Sequence, residues 1–297
     1  MQRVWRRGLL ALALAATFGS TKAADIEGFR FQIVTGDDSS VTRHIADDLY
    51  KRLVPIFGNF RTELAQKRRM VYVTIGPVAL RNVAARKCDC VVIAAFTSSQ
   101  VWRAVTAELP GARLASMTAI YAEPAPADQL RLISLLYKRP VRVAAIVSRE
   151  TGFLKPLLHG ATPVEIEDYS ASDDINYALN RVGQAQVLLA MPDRTVYSAE
   201  NFRNILLSTY RHNQAVIGFS ADMVRAGALA TTYSNIEHIN AHVADLANDF
   251  VQTGELQPPQ FPRYFRTIIN EGVAKSLQVA MSDDARKFGR EPTQRRP

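Results

Sequence analysis

The chain has 297 residues, 47% of them hydrophobic and 22% charged; these are the proportions of an ordinary globular protein and exclude a disordered, collagen-like or disulfide-dense chain. Single cores stop growing near roughly 250 to 300 residues, so the length suggests one large or two medium domains. The formal net charge of +8 sits at the two ends, on Arg3, Arg6, Arg7 and Lys22 and on Arg286, Lys287, Arg290, Arg295 and Arg296 against Glu291; the neutral body between them lacks the basic face that phosphate neutralisation needs, which argues against nucleic acid as a partner.

The basic start leads into the uncharged run Gly8 to Phe18 and then into small residues at Thr21, Ala23 and Ala24. This reads as a secretory signal peptide over 1–23, cleaved after Ala23 or Ala24, which predicts a periplasmic protein. The apolar run is well short of the roughly 20 residues a spanning helix needs, so a membrane-spanning chain is not expected. Cys88 and Cys90 are the only cysteines. They read as a small buried hydrophobe plus its neighbour or as a local disulfide; a metal site would need further ligands that the sequence does not supply nearby.

Short β-branched runs alternate with amphipathic stretches of helical length, the pattern of parallel α/β architecture. Strands are predicted at 29–35, 71–75, 90–96, 116–121, 141–147, 186–191 and 215–219. Helices are predicted at 41–54, 78–86, 99–108, 126–137, 172–182, 198–211, 221–226 and 236–252. Two prolines in Ala122-Glu123-Pro124-Ala125-Pro126 mark an interlobe crossover. Two α/β lobes then flank a cleft, and ligands in such sheets bind beyond the carboxyl ends of the strands. Polar residues recur at those ends: 36–40, 97–99, 148–151, 193–195 and 220–222. The final twelve residues read as a disordered basic tail.

The segment Val187 to Val196, which ends Met191-Pro192-Asp193-Arg194-Thr195-Val196, together with Ile217-Gly218-Phe219-Ser220-Ala221-Asp222, Gly227-Ala228-Leu229-Ala230 and Phe265 to Asn270, resembles the tryptophan- and tyrosine-binding branch of the ABC-transporter substrate-binding proteins, within the type I periplasmic binding proteins. Arg194 replaces the usual Asn, Ile75-Gly76-Pro77 lacks the customary hydroxyl, Ser98 stands where an acid is common, and Arg61 to Arg69 is too short for the family's second βα unit. The resemblance implies a two-lobed, hinge-closing fold, with lobe one at 24–122 plus 232–257, lobe two at 123–231 plus 258–285, and a tail at 286–297. It implies a monomeric, non-enzymatic receptor without a cofactor that captures a small solute and presents it to an ABC permease. A sensory subunit docking on a membrane kinase is the alternative; an exported hydrolase is a third class, for which no nucleophile motif is present.

Each candidate contact has a second, purely structural reading. Asp193 offers a carboxylate for a ligand ammonium or caps the next helix. Thr195 and Ser220 offer hydroxyls or, equally, helix caps, Ser148 is a strand-end ligand candidate, and Asp222 suits either a ligand or a first helical turn. Thr97 and Ser98 stand where a helix amino end would meet an anion or, equally, act as plain N-caps; Gly76, in Ile75-Gly76-Pro77, is a further ligand candidate, and Asp37 and Ser39 stand at the cleft rim or at a helix start. Phe219 and Tyr233, with Tyr121, are stacking surfaces or core. His238 and His242 have zinc-pair spacing without the zincin glutamate and read as surface histidines.

Overall fold

In the run Cys90–Thr97 every side chain but one is buried, because this strand has neighbours on both edges and helices on both faces. The computed structural model describes residues 27–58, 67–160 and 162–293, so the predicted signal peptide lies outside the described residues. The first sheet is wholly parallel and runs in the order β1 (Glu27–Thr35), β2 (Lys67–Ile75), β3 (Cys90–Thr97), β4 (Met117–Tyr121). The register is continuous from Glu27↔Lys67 to Thr35↔Ile75 and from Met70↔Cys90 to Ile75↔Ala95. β1 pairs directly with β2, and among the described residues no further strand adjoins its other edge.

Helix α1 (Ser40–Phe57) starts where the Ser39 hydroxyl accepts from the Thr42 backbone N–H, and its buried stripe of Ile45, Leu49, Leu53 and Phe57 follows helical spacing. α2 (Gly76–Ala84) springs directly from β2, α3 (Ser99–Thr106) from β3, and a single turn, α4 (Gly111–Leu114), leads into β4.

The second sheet has six strands in the order β10-β9-β8-β7-β5-β6, comprising β5 (Val143–Ser148), β6 (Val164–Tyr169), β7 (Val187–Leu189), β8 (Ala215–Ile217), β9 (Ala230–Tyr233) and the antiparallel β10 (Arg266–Ile269). Around it pack α5 (Pro126–Tyr137), a 3₁₀ segment (Gly152–Leu158), α6 (Ile175–Arg181), α7 (Ala199–Arg211), α8 (Ala221–Ala226), α10 (Glu271–Ser276) and α11 (Asp283–Arg286). Each sheet buries a core on both faces. β6 and β9 are absent from the sequence reading for opposite reasons. β6, Val-Glu-Ile-Glu-Asp-Tyr, is a half-exposed edge strand whose three acids mask the β signal. β9, Ala-Thr-Thr-Tyr, is only four residues long.

The chain passes between the lobes at 122–125, at 234–235 and at 254–265. The second passage sends α9 (Ile236–Thr253) back onto the first lobe, where Asn240 Nδ2 donates to the Ile45 carbonyl at 3.1 Å and to Asp48 at 2.9 Å. The third runs along β4: the Tyr121 N–H donates to the Gln260 carbonyl at 3.0 Å and the Gln260 N–H to the Ala119 carbonyl at 2.9 Å. Buried Gln129 fastens α5 to this region, donating to the Gly218 carbonyl and Thr231 hydroxyl and accepting from the Thr232 N–H.

Two expectations are corrected. Residues 286–293 are not a disordered tail: Phe265 and Arg290 exchange backbone hydrogen bonds at 2.9 and 2.8 Å, and Glu291 accepts from Arg266 Nε at 2.6 Å. His238 and His242 are not surface histidines, since each is 1% exposed. α9 is covered on several sides by α1, the first sheet and the returning chain, so its polar positions are enclosed as well. Cys88 and Cys90 are joined in a disulfide, with Cys90 buried.

Candidate functional site

The carboxyl ends of β2 and β3 both break into left-handed backbone: Gly76 has φ +81° and Phe96 φ +56°, one register step beyond the Ile75↔Ala95 pair. A Cβ built on Gly76 meets nothing within 4 Å, so its backbone faces open space, although any L side chain would be strained there. α2 begins with no side-chain cap on its first N–H groups. Phe96 is the rarer case, because a bulky residue seldom adopts this conformation and such outliers cluster at functional sites.

Asp193 is 1% exposed. One carboxylate oxygen accepts from the Ser148 N–H at 2.7 Å and from the Thr151 hydroxyl; the other accepts from the N–H groups of Thr195 and Val196 at 2.9 and 3.1 Å. The side chain therefore ties the loop after β7 to the loop after β5. Ser148 also accepts from the Glu150 N–H at its hydroxyl. Ser220 caps α8 through Met223, Ser98 caps α3 through Val101, and Ser39 caps α1 through Thr42. Asp222 lies in the first turn of α8, exposed and paired with Arg225. Asp37 accepts from the Ser39 N–H at the exposed rim.

Thr97 is buried, and its hydroxyl donates to the Ala95 carbonyl. Phe219 meets Tyr197 edge-on at 5.8 Å, and Tyr233 ends β9 opposite Arg266. The predicted residues thus stand at strand ends and helix starts, with most of their polar atoms already engaged by the chain.

The groups that span the lobes are others. Gln100 on α3 donates to Glu150 on the loop after β5. The Arg103 guanidinium lies over the Phe153 ring, 4.5 Å from its centroid, a cation–π contact. Around the Gln100–Glu150 contact is an interlobe cavity of about 460 Å3, with Arg81 on α2, Arg194 after β7 and an aliphatic wall of Val101, Ala104, Val105 and Leu109. It brings two guanidiniums, a carboxylate and an amide to the edge of an apolar surface, a donor and acceptor set matched to a small solute carrying opposite charges and an apolar portion.

Glu123, in the crossover after β4, closes the amino end of α3 from behind: its Oε1 accepts from the Ser99 N–H at 2.7 Å, while Oε2 is buried without a hydrogen-bond partner. Burial pushes its carboxyl above the usual carboxylate range, and burial together with the nearby Glu123 charge pushes Tyr121 up to about 12. Glu123 fell in the proline-marked crossover, and Gln100 and Arg103 inside the predicted helix 99–108, where no local pattern singled them out. Only Glu150 and Arg194 stood in segments marked by the strand-end pattern.

Among the described residues no helix is long and apolar enough to cross a membrane, and no group of three or more His, Cys, Asp or Glu is placed to hold a metal ion. No family model and no curated protein matches the chain. Solved structures do. A ligand-free, open substrate-binding protein with adhesive properties from Clostridium difficile aligns with TM-score 0.61 at 13% identity, over 86% of this chain and 97% of that one. An ABC domain from Streptococcus pneumonia in complex with L-Trp aligns with TM-score 0.55 at 12% identity, over 88% and 99%. A conserved domain protein from Vibrio cholerae aligns with TM-score 0.52 at 13% identity, over 89% and 99%. The fold is that of the two-lobed type I periplasmic binding proteins.

Proposed function

We propose that the protein is the exported solute-binding component of an ABC uptake system, a periplasmic monomer that captures a small amino-acid-like or aromatic solute by closing its lobes and hands it to an inner-membrane permease. The observation that carries this reading is the interlobe cavity, where Arg81, Arg194, Glu150 and Gln100 face an aliphatic wall. Arg194 offers a fork for a ligand carboxylate and Glu150 an acceptor for an ammonium group, while the wall takes the apolar part. The amino end of α2, left open beside Gly76, is a second place for an anionic group on the first lobe.

The chemistry is recognition rather than turnover. A ligand favours closure by as much as it binds the closed form better than the open one. Gln100–Glu150 and Arg103–Phe153 already connect the lobes, and a ligand ammonium would compete with Gln100 for the Glu150 carboxylate. The L-Trp held by the structurally similar ABC domain supports an amino-acid ligand class.

A thermal-shift screen of the protein against amino acids, aromatic acids and common anions tests the reading, since binding only the native state raises the melting midpoint. The expected result is a shift for one zwitterionic or aromatic class that Arg194→Ala and Glu150→Ala abolish. A folded protein that no member of the panel stabilises would reject this ligand class.

A further inference from the structure

At the opposite end of the second lobe from the cleft, the amino ends of β5, β6 and β7 surround a groove of about 1090 Å3. Small-molecule sites run from roughly 300 to 1,000 Å3, so this groove is slightly larger than that range and exceeds the interlobe cavity of about 460 Å3. Its floor is apolar, with Ile133 of α5, Val141, Pro163 and Val164 among the lining residues. Its mouth is basic. Lys138 closes α5 in a left-handed turn at φ +51°, which leads the chain through Arg139 and Pro140 to Arg142, and all three cations line the groove.

None of Lys138, Arg139 and Arg142 forms an ion pair among the described residues, and all three are exposed. The backbone beneath them is fixed: the Arg142 N–H donates to Gln186 Oε1 at 2.7 Å, and the Gln186 N–H returns to the Arg142 carbonyl at 2.9 Å. Glu165 is the single acid in the lining. Three cations with no acidic partner, set on one rim of an apolar trough, match a molecule with a single anionic head and a hydrocarbon body. The head alone would find only solvated side chains, and the body alone would leave the cations unused.

We infer that this groove is a second binding site, separate from the cleft, for a small amphipathic carboxylate of the medium-chain fatty-acid class. The carboxylate sits among Lys138, Arg139 and Arg142, and the chain lies on the floor formed by Ile133, Val141 and Val164.

Isothermal titration of the full chain with sodium decanoate, well below the concentration at which it forms micelles, tests the site with a monomeric ligand rather than a lipid surface. The expected result is saturable binding of one decanoate per chain that weakens with added salt. Binding should be at least tenfold weaker for decanol, which has the same chain without the charge, and undetectable for acetate and inorganic phosphate, which have the charge without the chain. The double variant Lys138→Gln with Arg142→Gln, checked for an unchanged circular dichroism spectrum and melting midpoint, should lose at least tenfold in affinity, whereas Arg194→Ala in the cleft should leave it unaltered. Absence of saturable binding, equal affinity for decanol, unchanged affinity in the folded double variant, or loss caused by Arg194→Ala would each overturn the assignment. The Arg194 arm separates failure here from failure of the cleft reading.

Discussion

The Glu123 carboxylate accepts a 2.7 Å hydrogen bond from the backbone N–H of Ser99, so the amino end of α3, on the first lobe, is met by a residue of the crossover into the second. A helix amino end has N–H groups in need of an acceptor, and here the protein supplies one of its own, a carboxyl oxygen. The same crossover segment therefore joins the lobes covalently and anchors one of the helices bordering the cleft.

Glu123 carries a pH signature. Burial raises its folded-state pKa above that of the unfolded chain, so the folded protein holds this proton to higher pH, and the stability linked to the group is lost as pH rises through the folded value. Glu123→Gln cannot ionise. Its melting midpoint relative to the parent should climb as pH rises above the ordinary carboxylate range in calorimetric scans; a difference that stays constant with pH would refute the account.

Removing the Asp193 side chain should be costly even without ligand. Asp193→Ala strands the N–H groups of Ser148, Thr195 and Val196 and the Thr151 hydroxyl in a buried setting, a loss of about 3 kcal/mol when each unmet donor costs on the order of 1 kcal/mol or more. Urea denaturation measures this directly. A loss under about 0.5 kcal/mol would mean that the two loops do not depend on the carboxylate.

His242 should make the protein acid-sensitive. Burial, with Arg263 adding to it, lowers its pKa from 6.5 to about 4. The Arg263 N–H donates to Nδ1 at 3.1 Å, a bond that only the unprotonated ring nitrogen can accept. With the folded pKa depressed, the contribution is complete above pH 6.5 and drains away as pH falls toward 4, by about 3 kcal/mol at most at 1.36 kcal/mol per pKa unit. Unfolding free energies of the parent and of His242→Gln, followed between pH 7 and pH 4.5, should converge as the solution is acidified. Parallel curves would assign the acid sensitivity elsewhere.

Glu291 joins the last described segment to both lobes. It pairs with His238 Nε2 at 2.9 Å on α9 and with Arg266 on β10, and those two hydrogen bonds lower its pKa to about 2. The carboxylate is more than half exposed, which screens the pair with Arg266, but His238 is buried and loses its partner. Glu291→Ala should cost about 1 kcal/mol. Added salt should shrink this difference only in part, because the His238 contact is shielded from solvent. A melting midpoint identical to the parent's in low salt would show that the clasp contributes nothing.

Much of this architecture was legible in local pattern. Helices 126–137 and 221–226 read from the sequence coincide with α5 and α8, because proline at the first turn of one and a Ser-capped amphipathic turn in the other are local signals. The strands β1 to β5, β7 and β8 were likewise marked by β-branched runs, though β7 and β8 are shorter than their apolar stretches. What failed locally was β6, with three acids in a half-exposed edge strand, β9, which is only four residues long, and the burial of His238 and His242 on α9, a helix whose bounds the pattern had marked.

The candidate site divides in the same way. Composition and spacing determined that Asp193, Ser148, Thr97 and Ser220 would stand at the carboxyl ends of strands, since strand–helix alternation forces those ends to one side of each sheet. Only the tertiary structure decided what those groups do there. Hydrogen bonding between loops 45 residues apart engages the Asp193 carboxylate, and the seating of one lobe against the other brings Gln100 to Glu150 and Arg103 to Phe153. Periodicity along a chain records which face of an element is buried, whereas these pairings depend on how two separately folded sheets meet, and no local pattern encodes that distance.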